Sequence, residues 1–448
     1  MAMTGPLSLK AKFGLGFLLS YTSFELYMHL RTQSIISNRK QVFKAESDKE
    51  NDDSGKERFS SVTVAGMFVN PFEEYRPQTA FEFIFVRVME LFESLYGSWY
   101  ELHGRVPEDH GKEVEDLLES RAPYIELLRA NSTVLQQCIS KNDFSTLTGA
   151  SQIMSGTNSV VPSIRNQMLL TWLGQSCLLV QMSGINFLTD PILSNRLISE
   201  QLGPKRLVKS PMDLEDIKYA TNNHLDFVLV SHDHPDHLEL DLAGKIGNSA
   251  SWIVPLGLRK KLARKGIYNV LEMDWWDSIP LREIHPRLAN MPDEYEIVCV
   301  PAMHWSGRYI IDSNVSLWCS YIVKRNNEPI LYHAGDTGYS EELFNQLSKK
   351  FGTVFMSLLP IGQYCPSWHQ KPRHISPEEA LKVAKSISSS YMLGIHWGTF
   401  KISSEPILEP KRLLEKLASS IGKSEQYLVP IFGLTYIYDM SAKQEVKV

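Results

Sequence analysis

Short apolar runs that break abruptly into histidine or aspartate recur through the second half of this chain. Phe227-Val228-Leu229-Val230 runs into Ser231-His232-Asp233-His234-Pro235-Asp236-His237, and a second apolar stretch leads through Val300-Pro301-Ala302-Met303 to His304. Ile330-Leu331-Tyr332 precedes Ala334-Gly335-Asp336, and Leu393-Gly394-Ile395 precedes His396. Bounded runs of this length predict buried strands, which puts the polar residues at strand ends, where a sheet presents its chemistry. The intervals between His237, His304, Asp336 and His396 leave room for further strands and helices, as expected when each residue comes from a different loop along one sheet edge. Ser376-Pro377-Glu378-Glu379 predicts a helix start, with Pro at the first helical position and a Ser-x-x-Glu capping box.

The N-terminal part follows another pattern. Phe13 to Leu30 is apolar and aromatic, with Lys10 and Lys12 before it and Arg31, Arg39 and Lys40 after it. It is at the lower length limit for a membrane span, and Glu25 and His29 would be costly in hydrocarbon. Basic residues with a single acid before residue 46 suit a mitochondrial targeting segment retained as a membrane anchor, assigned here to 1–43. Residues 44–60 are charged and almost devoid of apolar groups, which predicts a disordered linker. Beyond it, Phe81, Ile84, Phe85, Val88, Phe92 and Leu95 recur at helical spacing. Burial of that face against the rest of the chain or a second subunit is the expected arrangement; a membrane-interface helix is the functional alternative.

The run from His232 to His237 is the densest chemistry in the chain. His232 and His234 point the same way in an extended segment, and a turn at Pro235 sends Asp236 and His237 toward a second position beside the first, so the pattern favours two cations. Imidazole and carboxylate donors without thiolates suit zinc in a catalytic site. Further ligands at strand ends are then required, and His304, Asp336 and His396 meet that requirement. His333 falls inside an apparent strand and is read as a core histidine, and His224, His285 and His369 carry no matching motif.

Composition narrows the choice of function. The 448 residues, 43% of them hydrophobic, suit one large catalytic domain with an N-terminal extension. The net charge of −5, without a dense basic tract, argues against a nucleic-acid partner. Cys138, Cys177, Cys299, Cys319 and Cys365 are scattered and odd in number, so no disulfide framework is expected.

The order of ligands resembles the metallo-β-lactamase fold, an αβ/βα sandwich in the α/β class, here with an N-terminal helical extension. Finer motifs resemble the zinc phospholipase D family that hydrolyses N-acylphosphatidylethanolamine: Thr171-Trp172-Leu173-Gly174, Leu188-Thr189-Asp190-Pro191, Gly203-Pro204-Lys205-Arg206, Asp274-Trp275-Trp276, Ala334 to Tyr339, Pro377 to Ala380 and Ile395 to Phe400, plus Phe68-Val69-Asn70-Pro71 upstream. The resemblance implies two zinc ions per chain, one held by His232, His234 and His304, the other by Asp236, His237 and His396, with Asp336 bridging. It implies that water activated by the ions attacks the phosphodiester, releasing N-acylethanolamine and phosphatidic acid, with Asp236 and Asp336 in the catalytic centre and His374 beside the substrate phosphate. It also implies a phospholipid substrate, a membrane surface as partner and a homodimer. Animal members of the family carry Tyr at Pro235 and Gln-Tyr at Glu200-Gln201, positions that help recognise the lipid, so lipid preference transfers less directly than the metal chemistry. Competing readings are a lactonase or nuclease on the same scaffold, and a non-catalytic membrane protein with a structural metal site. The expected organisation is an extension over 61–164 packing on the core, a catalytic domain over 165–437 and a C-terminal tail over 438–448.

Overall fold

The computed structural model describes residues 8–46, 54–79, 81, 82, 84–86, 88, 89, 92, 118–149, 152, 153, 160–198, 201–309 and 312–446. Two mixed sheets face each other. The first runs in the order Val270–Met273, Ser251–Pro255, Phe227–Leu229, Ile185–Thr189, Cys177–Met182, Gln167–Gly174, Thr435–Asp439, Gln444–Val446. The second runs Ser278–Pro280, Tyr295–Val300, Ser320–Arg325, Glu328–His333, Met356–Pro360, Tyr391–Ile395, Tyr427–Leu428. In both, antiparallel pairs give way to parallel ones, at Ile185–Thr189 against Phe227–Leu229 in one and Glu328–His333 against Met356–Pro360 in the other. This is the αβ/βα sandwich expected from the sequence.

Why the strands read as unbroken apolar runs is now visible. Along the first sheet, Leu170, Trp172, Leu178, Val180, Phe187 and Leu229 enter the core between the sheets. Their neighbours Leu169, Leu173, Leu179, Leu188 and Val228 enter a second core with Ile217, Leu242, Ile246 and Leu262 of the covering helices. Successive side chains alternate between faces, so a strand covered on both sides must be apolar throughout. On the second sheet, Glu341–Phe351, Pro377–Ser386 and Glu409–Ser420 contribute Leu343, Phe344, Leu347, Ala380, Val383 and Leu414 to the central core. The helix at Pro377 starts as its sequence predicts, with Ser376 and Glu379 in a reciprocal capping box.

Two boundaries differ from expectation. The supposed linker is partly structured: the helix Leu9–Glu46 continues through its start, and Ser54–Arg58 is helical, while 47–53 lies outside the described residues. Composition misled because Arg58 is buried as a bonded group, donating to the Pro71 carbonyl at 2.6 Å and pairing with Glu342 at 3.1 Å, while Phe59 stacks on Phe72. The supposed tail closes the first sheet: Thr435–Asp439 pairs with Gln167–Gly174 and carries Gln444–Val446 on its other edge. Residues 447 and 448 lie outside the described residues.

Within the extension, Phe59, Phe72, Leu118, Leu135 and Leu147 join the central core, and Asn70 donates to the His304 carbonyl at 2.7 Å. The long helix Leu9–Glu46 is held near its C-terminal end, where Ile36 is buried and Lys40 meets Glu73 at 2.6 Å. Among the described residues no helix is long and apolar enough to cross a membrane. The described positions from Phe81 to Phe92 are helical, and Phe81, Ile84, Phe85, Val88 and Phe92 are exposed in this single chain. That face is only partly covered by the described parts of its own chain, with Phe81 edge-on to Tyr21 at 5.7 Å and Phe85 6.5 Å from Trp368 between ring centroids; Leu95 lies outside them.

Tyr438, placed by sequence at the start of a tail, is fully buried against Tyr391 and Phe355, with ring centroids 5.0 and 6.1 Å away. Tyr438→Ala should cost about 3 kcal/mol in urea denaturation, in the range for deleting a buried aromatic ring. A change below about 0.5 kcal/mol, the scale of a neutral surface substitution, would show that the Tyr438 ring contributes nothing to the core.

Candidate metal centre

All seven residues singled out as ligands meet at one end of the sandwich. His232, His234, Asp236 and His237 follow the strand Phe227–Leu229, His304 follows Tyr295–Val300, Asp336 follows Glu328–His333 and His396 directly follows Tyr391–Ile395. Their donor atoms form two groups, His232, His234, His304 and Asp336, and Asp236, His237, His396 and Asp336, each with all atoms within 4.8 Å of one another. Asp336 belongs to both. Its Oδ2 lies 3.1 Å from His237 Nε2, 3.7 Å from His304 Nε2 and 3.9 Å from His232 Nε2, and its Oδ1 lies 3.1 Å from His396 Nε2.

Glycines allow this convergence. Gly335, at φ +57°, puts the Asp336 loop so close to the His232 loop that a Cβ there would sit 2.4 Å from the Ser231 Cβ. Gly362 lies against the His396 carbonyl, which a Cβ would meet at 2.3 Å. His396 itself has φ +61°, a conformation that costs a non-glycine residue about 1–2 kcal/mol and is sustained by its surroundings.

The donor set suits a cation. His232 Nε2 and His234 Nδ1 are 2.8 Å apart, His304 Nε2 is 3.2 Å from the same His234 atom, and His237 Nε2 faces His396 Nε2 at 3.0 Å. Ring nitrogens converging in this way satisfy one another only by sharing protons, whereas a divalent ion takes all their lone pairs together. The outward ring nitrogens fix the inward ones. His237 Nδ1 is 2.9 Å from Asp190 Oδ2, His304 Nδ1 is 2.9 Å from the Arg373 carbonyl, and His232 Nδ1 is 2.9 Å from Ser231 Oγ. Carboxylate and carbonyl acceptors behind an imidazole select the tautomer whose other nitrogen faces a metal.

Asp190 had no assigned role in the sequence reading and is the largest omission from it. Buried behind the ligands, it accepts from the Ser231 N–H at 2.6 Å and the Ser231 hydroxyl at 2.8 Å, and sits 3.0 Å from His333 Nε2. A signal for it existed: like the ligands, it ends an apolar run, Ile185–Thr189. His333 is a buried, bonded histidine as expected, though its partner ties it to the site. Gln175 was also missed; its Nε2 is 2.9 Å from both Asp236 Oδ2 and His396 Nε2.

The remaining candidates surround this centre. His374 is buried with Nδ1 3.7 Å from Asp336 Oδ2. Pro235 is half-buried beside His234, whose ring meets Trp305 edge-on at 4.2 Å. Asp233 turns away from the ligands to pair with Lys261 and accept from the Gly307 N–H. His369 bonds Glu82 at 2.8 Å, and His224 and His285 are in neither ligand group. Glu200 lies outside the described residues, and Gln201 is exposed.

Electrostatics in the metal-free protein divide the histidines. Burial, reinforced by neighbouring imidazoles, holds His232 and His234 well below the usual histidine value, and burial pulls His304 down to about 4 despite Asp336. Burial opposes charge on His237 and His396 as well, but the carboxylates outweigh it. Asp336, Asp236 and Asp190 hold His237 well above its usual value, and Asp336 with Asp236 raises His396 to about 9. Burial would raise Asp190, yet His333 and His237 bring it down to about 2.

A family model described as a beta-lactamase superfamily domain matches residues 185–397. The chain is 38% identical over 438 residues to a mitochondrial N-acyl-phosphatidylethanolamine-hydrolyzing phospholipase D of Saccharomyces cerevisiae, covering 95% of this chain and 87% of that protein. It is 36% identical over 260 residues to N-acyl-phosphatidylethanolamine-hydrolyzing phospholipase D 1 of Caenorhabditis elegans, covering 56% of this chain and 69% of the relative. An uncharacterized protein of Mycobacterium tuberculosis is 35% identical over 276 residues, covering 60% and 68%.

The split among the histidines gives the metal-free protein a two-sided pH dependence. His396, raised from an unfolded value near ~6.5, contributes stability that is complete below that pH and lost as pH rises through about 9. His304, depressed, contributes stability present above pH ~6.5 and lost as pH falls through about 4. The urea midpoint of chelator-treated protein should therefore fall on both sides of neutrality. A midpoint that is flat from pH ~6.5 to beyond ~9 would contradict the assignment for His396.

Proposed function

The chain belongs to the N-acyl-phosphatidylethanolamine-hydrolysing phospholipase D family within the beta-lactamase superfamily and is a metal-dependent hydrolase; on that premise we propose that it is a zinc phosphodiesterase cleaving N-acylphosphatidylethanolamine to N-acylethanolamine and phosphatidic acid. The observation that carries this reading is the joining of two four-residue donor groups through Asp336. His232, His234 and His304 would hold one ion and Asp236, His237 and His396 the other, with Asp336 reaching both. Bound zinc supplies charge neutralisation at the phosphoryl oxygens and activates water at neutral pH.

The protein's own residues account for the rest. Two carboxylates among mostly neutral imidazoles leave two divalent cations undercompensated, so the site favours an anionic substrate, and a phosphodiester meets that condition where a neutral lactone does not. His374 is held well below the usual histidine value by burial, so at neutral pH its ring is neutral. A neutral ring 3.7 Å from Asp336 is suited to donating a hydrogen bond to a phosphoryl oxygen rather than to delivering a proton to the leaving alkoxide. Trp305 and Pro235 beside His234 offer an apolar rim for the lipid portion.

We place the enzyme at a mitochondrial membrane. The yeast relative's mitochondrial designation supports the compartment, as do the basic residues flanking Phe13–Leu30. Exposed Phe13, Phe17, Phe81, Phe85, Phe92 and Trp368 support adsorption to lipid, since large apolar side chains left in solvent gain from entering a lipid interface.

Asp336→Asn should lower release of phosphatidic acid from N-acylphosphatidylethanolamine vesicles by at least about 100-fold, the scale of losing a preorganised charge-stabilising group. Near-normal turnover at full metal content would refute the mechanism, and a wild-type protein with two bound zinc ions that releases no product would refute the substrate. Replacing Phe81, Phe85 and Phe92 together with Ser should weaken binding to anionic liposomes in a sedimentation assay while leaving zinc content unchanged. Undiminished binding would count against that face as the lipid contact.

A further inference from the structure

Gln175 lies in the turn between the strands Gln167–Gly174 and Cys177–Met182, 1% exposed, at φ +52°. The turn closes tightly because the preceding residue is Gly174 at φ +111°, where a Cβ would sit 2.4 Å from Arg206 Nη2 and 2.9 Å from Thr399 Cγ2. A long uncharged polar side chain is costly to bury unless it is bonded. The polar contacts of this side chain all fall on one donor group: Nε2 is 2.9 Å from Asp236 Oδ2 and 2.9 Å from His396 Nε2. Its main chain reaches the same loop. The Gln175 carbonyl accepts from the His396 N–H at 3.0 Å and from Trp172 Nε1 at 2.8 Å, and its N–H donates to Thr399 Oγ1 at 2.6 Å.

We infer that Gln175 is a positioning residue for the second ion of the dinuclear centre, holding Asp236 through its side-chain amide and His396 through its main-chain carbonyl without adding charge. This inference rests on the two-ion reading given above. Each donor group holds one histidine whose outer ring nitrogen has no hydrogen-bond partner among the described residues. In the first, His232 and His304 are oriented through Nδ1 by Ser231 and the Arg373 carbonyl, and His234 Nε2 is the unpartnered one. In the second, Asp190 orients His237, and His396 Nδ1 is the unpartnered one. The posture of His396, in a left-handed backbone conformation, depends on its main-chain bond to Gln175. Asp236 takes one N–H of the amide, which fixes its carboxylate while leaving it lone pairs for a cation. A cavity of about 20 Å³ is bordered by Gln175, Gly362, Gln363 and His396. It has room for about one water.

Cobalt(II) titration of the full-length protein, followed by visible absorption and metal analysis after gel filtration, reads each equivalent without reference to turnover. Gln175→Met keeps length and removes the donor; Gln175→His restores a ring N–H of comparable reach. The Met variant should bind its first equivalent as the wild type does and its second about 10- to 100-fold more weakly, the usual cost of losing a partner that orients a ligand. The His variant should recover most of that loss. Two equivalents bound by the Met variant as tightly as by wild type would overturn the inference, and so would an equal weakening of both, which is the mark of a loosened fold. If the Met variant does not fold, the His variant decides: a retained second equivalent supports the inference and a lost one overturns it. Wild type binding fewer than two equivalents would instead overturn the dinuclear reading, and this inference with it.

Discussion

The centre depends on one carboxylate that is not among its proposed ligands. Asp190 sits behind the ligand cluster and gathers His237, His333 and both donors of Ser231 around two oxygens. Without such an acceptor, a fully buried imidazole at His237 would have no fixed tautomer, and Ser231 would have no fixed hydroxyl with which to orient His232. One buried anion, stabilised by several charge-assisted bonds, thus sets the direction of ligands in both donor groups. It also joins the sheets, since Asp190 and Ser231 follow strands of the first and His333 ends a strand of the second.

Much of this was legible from sequence because it is periodic or dense. Strands buried on both faces must be apolar throughout, and a ligand at a strand end interrupts that run abruptly, so His304, Asp336 and His396 stood out without any knowledge of their neighbours. The run from His232 to His237 needs no tertiary information. Asp190 ends an apolar run as the ligands do, but its role, like that of Gln175, consists of bonds to residues distant in the chain, His237 and His396, and local sequence does not encode such a partner.

The misread segments have a related cause. Composition identifies residues that do not form a core by themselves, and it made 44–60 a linker, while 438–448 was left as a tail because the family resemblance extends only to about residue 437. Arg58 is buried because the Pro71 carbonyl and Glu342 are there to receive it. Gln444–Val446 is a strand because Thr435–Asp439 offers a free edge. Both are stabilised by distant parts of the chain, and neither carries a local hydrophobic signal strong enough to announce it. The helix at Phe81 to Phe92 is the converse case: its apolar spacing is clear, and the described parts of its own chain leave most of that spacing in solvent.

The strand Thr435–Asp439 has a consequence for how the molecule comes into being. It pairs directly with Gln167–Gly174, and the hydroxyls of Thr171 and Thr435 meet at 2.8 Å across a separation of 264 residues. Contacts of such range close a large loop before they are rewarded, which slows folding. The strand Gln167–Gly174 therefore waits, with one edge unpaired, until Thr435–Asp439 has been synthesised. Through that interval an open strand edge in an apolar sequence is a template for pairing with other chains, so the long-range closure of this sheet exposes the nascent protein to association that the finished fold prevents.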